Sequence, residues 1–169
     1  MQTTLNFESA QNYSNQAPQT EMVANEFVLK YKKSEHINSL NKGELNSSIR
    51  IANFLRTVWD EDRLHYQESF YVLYFTNGMK LSGFFKIADG TIDGVPVDMK
   101  LMFTNALLSG SHKIILAHNH PSGTLKPSSA DLAMTKKAAE AGELLSIEVV
   151  DHIILTPESH YSFRDEGLL

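Results

Sequence analysis

Apolar residues in this chain fall into short runs of two kinds, and the period of each run identifies its element. Ile51, Leu55, Val58 and Trp59 stand at i, i+4, i+7 and i+8, one face of a helix. Ser69–Phe75 and Met79–Ile87 are β-like runs joined through Thr76, Asn77 and Gly78, and the Asn-Gly pair predicts a tight hairpin turn. A third short strand is predicted near Thr91–Val97. Asp98 then stands as the N-cap of a helix in which Met99, Met102, Phe103, Ala106 and Leu107 recur at helical spacing, so that the methionines and Phe103 read as core.

Residues Lys113–Ala117 are apolar and β-branched over a short span, the pattern of a central strand covered on both faces. After a loop holding Pro121, Gly123 and Pro127, a helix is predicted from about Ser129 to Leu144. Strand Ile147–Leu155 and a last hairpin strand around Tyr161–Phe163 complete the pattern. The sum is an α/β domain with a mixed sheet, and no internal repeat is visible.

Ahead of these elements, residues 1–25 are rich in Gln, Asn, Ser and Thr with scattered single hydrophobes, which predicts a flexible polar leader. Glu26–Lys33 alternates as a short strand does, and Ser34–Ser48 reads as a loop. Residues 26–60 are therefore expected to be a strand-and-helix extension preceding a domain over 61–169. With 169 residues, 42% apolar and 21% charged, the chain has the material for one core, and disorder throughout is excluded.

The absence of cysteine excludes disulfides, thiolate zinc clusters and a thiol nucleophile, so any metal must sit on His and carboxylate. No window approaches the roughly 20 apolar residues of a membrane helix, and Met1–Gln19 lacks the apolar stretch of a signal peptide; a soluble, cytoplasmic protein is expected. Net charge is −5, and the one basic cluster is Lys30, Lys32 and Lys33 beside Tyr31. That weighs against a strong grip on phosphate backbones and disfavours DNA as a partner.

His118-Asn119-His120 continues the apolar strand, and in extended backbone alternate side chains share a face, so both imidazoles point the same way. Catalytic zinc takes three N/O protein ligands and keeps a fourth position for water, so one carboxylate is wanted. Asp131 stands in the first turn of the following helix, where the Pro121–Pro127 loop could fold it back over the strand end. Hydrolysis also needs a base to move a proton from water to the leaving nitrogen, and Glu68, opening an apolar strand, is the candidate. A hydroxyl could stabilise the oxyanion, and Ser128 is placed to supply it.

His118-x-His120-Pro121, then Ser128, then Asp131, with Glu68 upstream, resembles the JAMM motif of MPN/JAB-domain metalloproteases. Within that superfamily the chain is similar to the bacterial RadC branch through His118-Asn-His-Pro-Ser-Gly123, Pro127-Ser128, Asp131, Asp151-His152-Ile-Ile154, Tyr161-Ser162 and Glu166-Gly167-Leu168. The resemblance covers roughly Asp60–Leu169. It implies an MPN/JAB-type, cytidine-deaminase-like fold, a Zn²⁺ site of His118, His120 and Asp131, Glu68 as general base and Ser128 in the oxyanion role. The activity it implies is that of a peptidase or isopeptidase acting on a protein or peptide amide. Many RadC-like chains carry an N-terminal helix-hairpin-helix that binds DNA; residues 1–60 here show no such motif.

Plainer readings stand beside these. Ser128-x-x-Asp131 is also the signature of an ordinary helix capping box, and an isolated His-x-His is weak. Glu68 alone reads as a strand-start carboxylate. The metallo-β-lactamase pattern wants Asp-His where this chain has Ser122 and Gly123, and an amidohydrolase barrel needs roughly 250 residues. His36, His65, His112 and His160 lack ligand-like spacing and are expected at the surface. Asp151-His152 reads as strand-end packing in preference to support for a ligand imidazole. Two rival functions remain: a DNA-processing or DNA repair-associated protein whose metal acts on phosphate esters, and a non-catalytic MPN scaffold.

Overall fold

A computed structural model describes residues 45–91 and 95–169, in the order α1 (Ser48–Val58), α2 (Glu61–Tyr66), β1 (Ser69–Phe75), β2 (Leu81–Asp89), α3 (Met99–Leu108), β3 (Lys113–Asn119), α4 (Ser129–Leu144), β4 (Glu148–Leu155) and β5 (His160–Ser162). The strands form one mixed sheet, β2-β1-β3-β4-β5, in which only the β3–β4 pair is parallel. This is the α/β sheet flanked by helices that the patterning predicts, and it is consistent with a JAB/MPN fold. Helix α4 makes the crossover that a parallel β3–β4 pair requires.

Strand alternation divides the core in two. Tyr71, Leu73, Phe75, Ile115, Ala117, Ile153 and Leu155 pack with Ile51, Phe54 and Leu55 of α1 and Leu64 of α2. Their strand neighbours Phe70, Val72, Tyr74, Ile114 and Leu116 pack with Met102, Phe103 and Ala106 of α3 and Ala138 of α4. Such burial on both faces is why β1 and β3 read as nearly continuous apolar runs. Helix α1, read from sequence as part of an extension, thus shares the core of the sheet.

This parity positions the chemistry: Ala117 faces α1 and α2, His118 the α3/α4 side, Asn119 α2 again and His120 the α4 side. Helix α4 is held close to the sheet at Gly142, where a Cβ would collide with the carbonyl oxygen of Ile147.

Several expectations need correction. Thr91 and residues 95–97 lie outside any strand, residues 92–94 falling outside the described set; Val95 and Val97 line a cavity. The Asn-Gly hairpin is a longer loop in which Met79, with φ 59°, takes the left-handed conformation while its side chain packs on the α1-side core. Thr76 N–H donates to Lys80 O (2.9 Å) and Met79 N–H to Thr76 O (3.1 Å). Met102 and Phe103 are buried and Met99 packs on the same core while lining the cavity with the valines, but Leu107 is exposed. Helix α2 was not anticipated, because a six-residue helix with one buried residue, Leu64, gives no periodic signal. The predicted leader, the Glu26–Lys33 strand and most of the Ser34–Ser48 loop lie outside the described residues. No helix among the described residues is long and apolar enough to cross a membrane.

Candidate metal centre

The C-terminal end of β3, the N-terminus of α4 and the start of β1 meet at one cavity of about 470 Å³. His118, His120, Asp131, Glu68 and Ser128 all line it. His118 Nε2 lies 2.9 Å from His120 Nε2 and 3.2 Å from Asp131 Oδ1, and His120 Nε2 lies 3.6 Å from Asp131 Oδ2. Among the described residues this trio is the one group of three or more His, Cys, Asp or Glu whose ligand atoms converge in a way that could hold a metal ion. His65 and His112 are exposed and His160 is half-buried, none of them among the converging ligand atoms, and His36 lies outside the described residues.

The two local readings of Ser128-x-x-Asp131 turn out to be one. Ser128 caps α4: its Oγ accepts from Asp131 N–H (3.1 Å), and Asp131 Oδ2 accepts from both Ser128 N–H and Ser128 O–H (2.7 Å each). The capping box therefore fixes the carboxylate with its other oxygen, Oδ1, turned to His118.

Glu68 owes its place to Asn119, on the opposite sheet face. The Asn119 side chain accepts from Ser69 N–H (2.7 Å) and donates to Gln67 O (2.9 Å) and Leu64 O (3.2 Å), clamping the residues on either side of Glu68. The Glu68 backbone is further paired with Thr91 and Gly90. Asn119 was read from sequence only as the spacer between two histidines; strand parity, which turns it away from them, was the available signal.

Asp151 and His152 behave differently from each other. His152, wholly buried, places Nε2 2.8 Å from His118 Nδ1 and Nδ1 2.7 Å from Thr135 Oγ1. It packs in the interior against Phe163 and Phe70 and also hydrogen-bonds a candidate ligand, so the packing reading holds for it but is incomplete. Asp151 turns to the other face and accepts from His152 N–H, Arg164 N–H and Ser162 O–H at 2.7, 3.0 and 2.7 Å.

The electrostatics suit a cation. Burial pushes the His118 pKa below the ordinary imidazole value, against the pull of Asp131, so the ring is neutral. Burial would also lower His120, but the hydrogen bond to Asp131, the Thr124 carbonyl and the charges of Asp131 and Glu68 outweigh it and raise the pKa. Burial disfavours the Asp131 anion, yet the facing imidazoles of His118 and His120 and the Ser128 hydroxyl hold its pKa well below the carboxylate range. His120 Nδ1–H donates to Thr124 O (2.7 Å), because a carbonyl can only accept. Its Nε2 is thereby left for the centre, where a neutral ring adds a lone pair to an ionised carboxylate. Two imidazole nitrogens and one carboxylate oxygen fit a divalent transition metal.

Residues 45–168 match the RadC-like JAB domain model. A UPF0758 protein of Flavobacterium johnsoniae is 45% identical over 101 residues, 60% of this chain and 44% of that protein. One of Chlorobium chlorochromatii is 40% identical over 83 residues, 49% of this chain and 37% of that protein. One of Acidithiobacillus ferrooxidans is 35% identical over 124 residues, 73% of this chain and 54% of that protein. The chain thus spans about half, or less, of the length of these relatives, and their names state no activity.

Proposed function

The chain belongs to the RadC-like JAB domain family, and from that premise we propose that it is a zinc-dependent metallohydrolase of the JAMM type, cleaving an amide bond as a peptidase or isopeptidase. The observation that carries the reading is the convergence of His118, His120 and Asp131 beside Glu68 in one cavity. Zinc held there supplies Lewis acidity and lowers the pKa of water. Glu68 takes a proton from the attacking water and returns it to the leaving nitrogen. Ser128 donates its hydroxyl to the developing oxyanion, turning it away from Asp131 Oδ2, which keeps the Ser128 N–H.

The substrate side favours a polypeptide. Glu68, His120 and Ser128 also line a second, more open cavity with Tyr66, Pro121 and Lys126. Two cavities meeting at the same three residues let an extended chain lie across the centre, with Val97, Met99 and Met134 as an apolar wall on one side.

The test compares zinc content and hydrolysis of a peptide and isopeptide panel. Wild type is expected to bind one zinc, and His120→Ala and Asp131→Asn none. Glu68→Gln is expected to keep zinc and lose turnover. Equal zinc in all four proteins would remove the reading.

A further inference from the structure

A histidine that offers Nε2 to a metal must carry its proton on Nδ1, and which nitrogen is protonated depends on what holds the other one. The surroundings of His118 answer that question bond by bond. The main-chain carbonyl of Asp131 can only accept, so Thr135, one helical turn on in α4, spends its single hydroxyl proton there, at 2.6 Å. Thr135 Oγ1 then has only lone pairs to offer His152 Nδ1 at 2.7 Å, so that nitrogen must be the donor. His152 has no exposed surface and packs between Phe163, at 4.6 Å between ring centroids, and Phe70. The ring's only hydrogen-bond partners among the described residues are a neutral hydroxyl and another imidazole, with phenyl rings on either side, so this fully enclosed ring carries a single proton; with that proton on Nδ1, Nε2 is bare. It accepts from His118 Nδ1–H at 2.8 Å, and the single-proton His118 ring is left with a bare Nε2 that faces His120 Nε2 at 2.9 Å and Asp131 Oδ1 at 3.2 Å.

We propose that Thr135 and His152 are positioning residues that form a one-way hydrogen-bond relay, anchored on the Asp131 carbonyl, which fixes His118 in the tautomer that presents a bare Nε2 to the metal. Asp131 thereby serves twice: its side chain faces the metal, and its backbone sets the proton on the histidine beside it. The relay also fixes the orientation of the His118 ring through two bonds buried among β3, β4 and α4, which a single solvent-exposed partner could not do. Its consequence for metal binding rests on the reading of the centre given above, but the proton positions do not.

The first readout therefore needs no metal. Long-range ¹⁵N–¹H correlation spectra of ¹⁵N-histidine-labelled, metal-free protein at mildly alkaline pH should place the proton of both His118 and His152 on Nδ1. A proton on Nε2 of either ring would overturn the relay. The second readout is zinc affinity. Thr135→Val keeps shape and removes the acceptor, and should weaken zinc binding by about 10–100-fold, with the His118 proton shifted to Nε2; Thr135→Ser should restore both. Wild-type-like zinc affinity in a folded Thr135→Val would also overturn the proposal. Wild-type protein with both Nδ1–H signals and no zinc uptake would sink the metallohydrolase reading while upholding the relay.

Discussion

Asp151 and His152 are neighbours in β4, yet their side chains end in buried clusters of opposite character. Around Asp151 donors and acceptors balance: two backbone N–H groups and the Ser162 hydroxyl meet its two oxygens, and Ser162 Oγ in turn accepts from Asp165 N–H. Burial raises the Asp151 pKa, and its neutral donors only partly offset this. Around His118 the balance fails, because the His118 and His120 Nε2 atoms and the Asp131 carboxylate face one another. There the carboxylate pKa falls despite burial. Burial alone therefore does not mark a site. A polar cluster that closes on itself ties the C-terminal segment to the sheet, whereas one left with converging acceptors calls for a cation.

The comparison breaks most visibly in turnover. Glu68→Gln removes the proposed proton carrier from the metal side and should lower kcat by about 10²–10⁴-fold, measured on the zinc-loaded protein, with zinc stoichiometry unchanged. An active Glu68→Gln enzyme would reassign the base. Next in size, Asp151→Ala leaves two buried donors and the part-buried Arg164 N–H without their acceptor and should cost about 2–4 kcal/mol in denaturant unfolding. Zinc bound per folded molecule should stay the same; loss of zinc at retained stability would mean that the two clusters are not separate.

Acid should divide the clusters by sign. The raised pKa of His120 lets protons compete with the metal from above the ordinary imidazole value, whereas Asp131, held low, does not compete. Zinc affinity should therefore fall by up to about tenfold per pH unit as pH drops through the imidazole range, followed by competition with a chelator. Asp151 has a folded pKa above its unfolded value, so its protonation favours the folded state as pH falls through that folded value. Acid that empties the metal centre does not, through Asp151, loosen the C-terminal segment. The smallest effect on stability is that of Ser128→Ala, which removes the N-cap of α4 and should cost about 1 kcal/mol, read by thermal unfolding of the metal-free protein.

Much of this was legible because it follows from counting. Alternation by two put His118 and His120 on one face and implied Asn119 on the other, and the capping signature placed Asp131 at the start of α4. His152 defeated the count, because β4 carries an irregularity: Ile114 pairs with Val149 but Ile115 with Asp151, so Val150 is an extra residue. A bulge changes which face each later residue takes, and no residue type in Val149-Val150-Asp151 announces one. Thr135 was countable, four residues after Asp131, but its meaning depends on His152, and the Thr124 carbonyl holding His120 carries no side-chain signal at all. Val97 was misread as strand, while Met99 packs on the α3-side core and lines the cavity as well: periodicity reports burial, not what does the burying.

The central claim is that His118, His120 and Asp131 close on one metal ion. Crystals of the zinc-loaded protein, with diffraction recorded on both sides of the zinc absorption edge, test it most directly. The account predicts one anomalous peak at about 2.0–2.2 Å from both Nε2 atoms and an Asp131 oxygen. Zinc bound elsewhere, or the three side chains in place around no peak at all, would contradict it.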